Sequence, residues 1–205
     1  LYIEAIQPHV SPQVWALVQL QLSTAARSGE LVTMRAGQLN RSGKVWTYSP
    51  AEHKTAHHDH ERTIYIGPRG QEMLAPFLLG RDSEEYLFSA EAAELKRRQE
   101  IHARRKTPLS CGNSPGTNIV ASPERKPGDH YPRDSYRRAI QRACVKAGVP
   151  TWHPHQLRHN AATIIRLQFG LEAAQLLLGH TRADMTQVYA EVNDSKALQV
   201  AEKFG

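Results

Sequence analysis

The sequence predicts an α+β domain that is mostly helical and carries one small antiparallel β-sheet. Two observations predict it. Apolar residues cluster in helix-length runs through most of the chain, beginning with Val14, Trp15, Leu17, Val18, Leu20 and Leu22. KVWTYS (44–49) and RTIYIG (62–67) instead alternate and concentrate β-branched and aromatic residues, which is strand chemistry. The chain shows no internal repeat and no G-x-G-x-x-G or P-loop pattern.

The elements come in this order. Ser11 and Pro12 open a helix, a hydroxyl cap followed by a proline in the first turn. Its apolar run is that of a buried helix. The small residues from Thr24 to Gly29 interrupt it, and a short second helix is expected over Glu30–Met34. The two strands flank the polar connection PAEHKTAHHDHE and make a hairpin or small sheet. Pro68 and Gly70 end that sheet, and 71–79 is expected to be helical despite Pro76. A charged helix is expected over 91–106, where Arg97 and Arg104, and likewise Arg98 and Arg105, stand seven apart and share a helical face. The stretch 107–132 is rich in proline and glycine and reads as a surface loop or insertion. Helices return at 133–147, 156–169, 171–178, 186–190 and 196–204, with Gly148, Gly170 and Gly179 closing the first three.

Length and charge bound the function. The 205 residues suffice for one domain with a proper core. Lysine and arginine outnumber acids 26 to 20, and this basicity fits a polyanionic partner, of which nucleic acid is the commonest. Two isolated cysteines, Cys111 and Cys144, argue against a disulfide framework and fit a reducing compartment. No apolar run approaches the roughly 20 residues that span a bilayer. The first residues lack the pattern of a signal peptide, and the start on Leu1 suggests a fragment.

Four clusters carry candidate chemistry. In HPHQLRH (153–159), His155 and Arg158 lie three apart at a helix start, where free amides and the helix dipole favour an anion. The same residues are also compatible with simple capping. In TAARSGEL (24–31), Arg27 follows small residues that permit close approach, and Glu30 is placed to pair with it. Two forked guanidiniums can hold both non-bridging oxygens of a phosphodiester, although this stretch alone also fits a surface ion pair. In LGHTRADMTQVYA (178–190), His180 follows the Gly179 turn and Tyr189 lies nine residues later. A tyrosine can attack phosphorus, or serve as a half-buried core ring. Lys54, between the strands, is placed to protonate a departing alkoxide or simply to be solvated. HKTAHHDH (53–60) adds four histidines, but neither H-E-x-x-H nor a Cys-x-x-Cys pair occurs, so no metal site is expected.

Taken together, in this order, the clusters resemble the tyrosine recombinases, the phage-integrase family, over residues 10 to 195. The resemblance implies the tyrosine-recombinase catalytic-domain fold and a site-specific DNA recombinase that integrates or excises a mobile genetic element. Arg27 and Arg158 then resemble the two catalytic arginines, with Glu30 as the acidic companion of the first. Lys54 resembles the hairpin lysine that protonates the 5′-oxygen; Lys44 is nearby but falls early in a strand. His155 and His180 resemble the two catalytic histidines, and Tyr189 the nucleophile that forms a 3′-phosphotyrosyl link. That link conserves the phosphodiester's energy, so neither ATP, a metal nor another cofactor is required. The family often has Thr-Gly before its first arginine motif; here the pair is Thr24-Ala25.

The resemblance also implies that residues 1–205 form one catalytic domain, with a basic Pro/Gly-rich insertion at about 91–132. Its Arg97, Arg98, Arg104 and Arg105 are expected to track DNA phosphates. The family's N-terminal core-binding domain is expected to lie outside this fragment. The partner is double-stranded DNA, with a homo-tetramer in the synaptic complex, a monomer for the isolated fragment, no membrane, and a cytoplasmic, nucleoid-associated location. A type IB topoisomerase-like enzyme and a non-catalytic DNA-binding module are the alternatives.

Overall fold

The computed structural model describes residues 2–51, 62–108, 110–111 and 126–179. Eight α-helices and three strands occur among them: α1 (Tyr2–Ala5), α2 (Pro12–Thr24), α3 (Ser28–Val32), β1 (Leu39–Asn40), β2 (Trp46–Tyr48), β3 (Ile64–Ile66), α4 (Pro68–Leu78), α5 (Ala90–Ala103), α6 (Arg133–Ala147), α7 (Pro154–Phe169) and α8 (Leu171–Leu178). The α+β, mostly helical fold expected from the sequence is the observed one.

Helix α2 is the centre of the domain. Ser11 Oγ accepts the Val14 amide at 3.3 Å, and Pro12 supplies the first turn. Val14, Leu17, Val18 and Leu20 are essentially sealed from water, and full burial of such side chains is worth about 2 kcal/mol each. The helix packs against α3, α4, α6, α7 and β3. It carries polar groups into that core as well: Gln21 and Thr24 are buried.

The sheet has three strands in the order β1-β2-β3, both pairs antiparallel. Thr47 pairs with Tyr65, so Tyr48 and Ile64 face each other. β3 alternates, with Ile64 and Ile66 buried and Tyr65 exposed, as a strand with one wet face does. The Tyr48 hydroxyl donates to the Glu30 carbonyl at 2.6 Å and ties the sheet to α3.

The structure corrects several boundaries. The short second helix covers Ser28–Val32 rather than 30–34, because Arg27 is its N-cap. β1 was not expected; a two-residue strand carries too little pattern to be read. The sheet ends at Ile66 as expected, but the helix after it begins at Pro68 rather than 71, which suits a residue whose missing N–H is not needed in the first turn. The charged helix stops at Ala103 rather than 106. Arg104 is therefore its C-cap and Arg105 lies beyond it, so neither shares a helical face with Arg97 or Arg98. Pro108 comes soon after, and its ring disfavours helical backbone in the residue before it. The helices expected at 186–190 and 196–204 lie outside the described residues, as does most of 107–132.

Candidate active site

The turn that ends α2 presents Arg27. Ala25 takes left-handed backbone, with φ 54° and ψ 20°, and its amide returns to the Gln21 carbonyl at 2.9 Å. Arg27 then caps α3. Its amide donates to Glu30 Oε2 at 2.7 Å, and its Nη1 to Glu30 Oε1 at 2.9 Å. The ion pair read from TAARSGEL is real, but it is not a simple surface pair. The Glu30 side chain is 3% exposed and that of Arg27 is 25% exposed, so the acid is sealed in while the guanidinium keeps an open edge.

α7 presents the second cluster. The His153 amide donates to Gln156 Oε1 at 2.9 Å and closes the helix start. His155 is exposed, whereas Arg158, one turn on, is 2% exposed. Arg158 donates from Nη1 to the Ala25 carbonyl and from Nη2, at 2.9 Å, to the Leu178 carbonyl. It therefore clasps the turn before Arg27 to the last turn of α8. His155 senses the whole group. Partial burial lowers its pKa, and the charges of His159, Arg158, Arg27 and His153 lower it further. A neutral imidazole near pH 7 can accept a proton. Its ring meets that of His159 edge-on at 4.4 Å.

One amide joins the two clusters. Gln21 Nε2 donates to the carbonyls of Ala26 at 3.3 Å and of Pro154 at 3.1 Å, while Gln21 Oε1 accepts the Tyr136 hydroxyl at 3.1 Å. Gln21 and Tyr136 are fully buried. Burial holds the Tyr136 phenol well above its ordinary pKa, so it remains a donor. Gln21 and Tyr136 are not among the residues expected at the site from the sequence. Nor is a third guanidinium, that of Arg62, which stands against Glu30 with Nε 3.6 Å from Oε1. Arg62 was legible only as part of the strand motif RTIYIG. A glutamine inside an apolar helix, as at Gln21, was the available signal for the other two.

Lys54, His180 and Tyr189 lie outside the described residues. Gly179, the residue before His180, closes α8 in left-handed backbone at φ 63°. On α5, Arg97 donates to both Glu94 oxygens at 2.7 and 2.8 Å, and Arg98 to one of them at 2.8 Å. Those two guanidiniums pull the Glu94 carboxyl down to about 2. Arg105 donates to the Cys111 carbonyl. Among the described residues, no three His, Cys, Asp or Glu side chains gather as a metal site would require.

The sequence model described as the phage integrase family matches residues 10–196. The tyrosine recombinase XerD of Xanthomonas campestris pv. campestris is 28% identical over 86% of this chain and 47% of its own length. The chain spans about half or less of the length of the curated relatives it matches. Among solved structures, the Tn1549 transposon integrase in complex with a circular intermediate DNA superposes with a TM-score of 0.63 at 17% identity, over 99% of this chain and 62% of that one. XerA recombinase gives 0.61 at 19% identity, over 98% and 61%. At such identities the structural likeness is one of fold.

Proposed function

Since the chain belongs to the phage integrase family, we propose that it is the catalytic domain of a site-specific DNA recombinase that integrates or excises a mobile genetic element. The observation that carries this reading is the gathering of Arg27, Arg158 and His155 by Gln21 and the Ala25–Arg27 turn. Arg27 and Arg62 share the one carboxylate of Glu30, and Arg158 grips the turn just before Arg27, so positive charge is in excess there. Such a site favours a phosphodiester, and more so the extra charge of its pentacoordinate transition state.

In this reading Tyr189 Oη attacks the scissile phosphorus and the bond to the 5′-oxygen breaks, leaving a 3′-phosphotyrosyl link. His155 accepts the tyrosine proton, and Lys54 protonates the departing 5′-oxygen. Arg27 and Arg158 hold the non-bridging oxygens, and His180 donates to one of them. Ionising a tyrosine at pH 7 costs roughly 4 kcal/mol, which the local positive charge offsets. Attack by a freed 5′-hydroxyl on the link rejoins the strand and restores the phenol. Arg97, Arg98, Arg104 and Arg105 track DNA phosphates outside the site. Four chains assemble in the synaptic complex, on DNA in the cytoplasm.

The test is covalent trapping. The chain is incubated with fragments of the DNA that flanks its gene, and protein-linked ends are recovered under denaturing conditions and sequenced. Adduct from the unsubstituted chain and none from Tyr189→Phe, with binding retained, is the expected result. Adduct from the phenylalanine variant would remove Tyr189 from the mechanism.

A further inference from the structure

Arg62 lies two residues before β3 and is 7% exposed. Its Nη2 donates to the Leu177 carbonyl at 3.1 Å, and its Nη1 to the Thr63 carbonyl at 3.3 Å. Among the described residues its Nε makes no hydrogen bond and faces Glu30 Oε1, the same oxygen that Arg27 holds. The carbonyl it grips neighbours the Leu178 carbonyl held by Arg158. Two guanidiniums thus seize consecutive carbonyls in the last turn of α8, immediately before Gly179 and His180. Gly179 is shaped to that contact: a Cβ there would stand 2.5 Å from Arg62 Nη1.

Stability alone is a poor account of this residue. Taking a guanidinium out of water costs several kcal/mol, and a buried ion pair is often no more stabilising than an apolar replacement. Burial lowers the Arg62 pKa, Glu30 opposes that fall, and Arg27 reinforces it.

We propose that Arg62 is a positioning residue of the active site, which fixes the Glu30–Arg27 pair to the last turn of α8 and so sets where the segment beginning at His180 departs. It touches no DNA. Its fork is the reason an arginine is needed: a planar guanidinium spans a carboxylate and a carbonyl on different elements, whereas an ammonium is a single point. The proposal rests on the recombinase reading for its catalytic consequence, and on geometry alone for the hold on α8.

Arg62→Lys and Arg62→Met are compared with the unsubstituted chain. The probe is a nicked duplex built from the DNA that the unsubstituted chain traps. Arg62→Lys is expected to melt near the unsubstituted chain and to bind the duplex within about threefold, yet to cleave it on the order of 10-fold or more slowly, as a small misplacement of reacting groups does. Amide exchange over 177–179 is expected to quicken in both variants while the amides of α2 keep their protection. Where Arg62→Met fails to fold, the lysine variant carries the comparison. Cleavage by Arg62→Lys at the unsubstituted rate overturns the proposal, as does a loss of cleavage matched by an equal loss of binding. Unchanged exchange over 177–179 overturns it too. If the unsubstituted chain yields no adduct, the recombinase reading fails, and the exchange measurement still decides whether Arg62 holds α8.

Discussion

Arg158 carries a structural duty beside the phosphate-binding one proposed for it, and a sequence cannot separate the two. H-x-x-R marked it as a phosphate ligand, yet its guanidinium is buried and shared between the carbonyls of Ala25 and Leu178. Arg158→Ala would orphan both carbonyls and open a cavity, costing about 3 kcal/mol or more of stability. Chemical denaturation checks this, and it means that an inactive alanine variant says little about phosphate binding unless its fold is verified. His155 gives a cleaner prediction. Its folded pKa lies below the ordinary imidazole value of 6.5, with burial the largest cause, so the unfolded chain binds more protons as pH falls through that region. The native state therefore loses stability there, and stability rises with pH up to about the unfolded value. Replacing His155 by asparagine should flatten the unfolding free energy between about pH 5 and 7, measured by denaturant titration at each pH. An unchanged slope would mean that neither burial nor the cationic neighbours depress this ring's pKa. Arg27, Glu30, His155 and Arg158 were all legible as residue types at their spacings. Arg62 was not, because nothing local distinguishes an arginine that turns inward from one that is solvated.

The turn between α2 and α3 governs the geometry of both arginine clusters. Ala25 occupies left-handed backbone, where a side chain costs roughly 1–2 kcal/mol, but its buried methyl returns nearly 1 kcal/mol. Ala25→Gly should accordingly be close to neutral in a thermal melt, and Ala25→Val strongly destabilising, since a β-branched residue is poorly tolerated at positive φ. The departure from Thr-Gly thus leaves the turn intact. Tyr136→Phe removes one hydroxyl and leaves the Gln21 oxygen buried without it, which should cost about 1–3 kcal/mol. An unaltered melting temperature would show that water replaces the hydroxyl. Elements with strong punctuation were legible: Ser11-Pro12, Gly148, Gly170 and Gly179 all mark observed ends. The two-residue β1 carries almost no pattern, and the end of α5 depends on the residues after Ala103 rather than on its own helix-favouring ones. Gln21 stood out as a polar residue in an apolar helix, but its partners were hidden for a related reason. The groups a core glutamine satisfies, here on the turn after α2 and on α6 and α7, are set only when those parts meet.

At the scale of the whole molecule, charge was the first signal and remains the broadest one. An excess of six positive charges predicts DNA affinity that falls steeply with salt, each phosphate contact adding about −0.9 to the logarithmic slope. Substituting one of the arginines proposed to track the backbone, such as Arg104→Gln, should lower that slope by about 1 with little change in sequence preference, as a salt titration of binding would show. No helix among the described residues is long and apolar enough to cross a membrane. The order of motifs along the chain made the family legible, while the way buried amides and guanidiniums lace them together was visible only in the fold. In the proposed reaction a phenolic oxygen takes over a DNA phosphate beside Arg27 and Arg158. Mass-spectrometric mapping of the protease-digested covalent adduct reads the attachment point itself. The expected result is a nucleotide remnant on the peptide bearing Tyr189, attached through its phenolic oxygen; a remnant on any other side chain would exclude Tyr189 as the nucleophile.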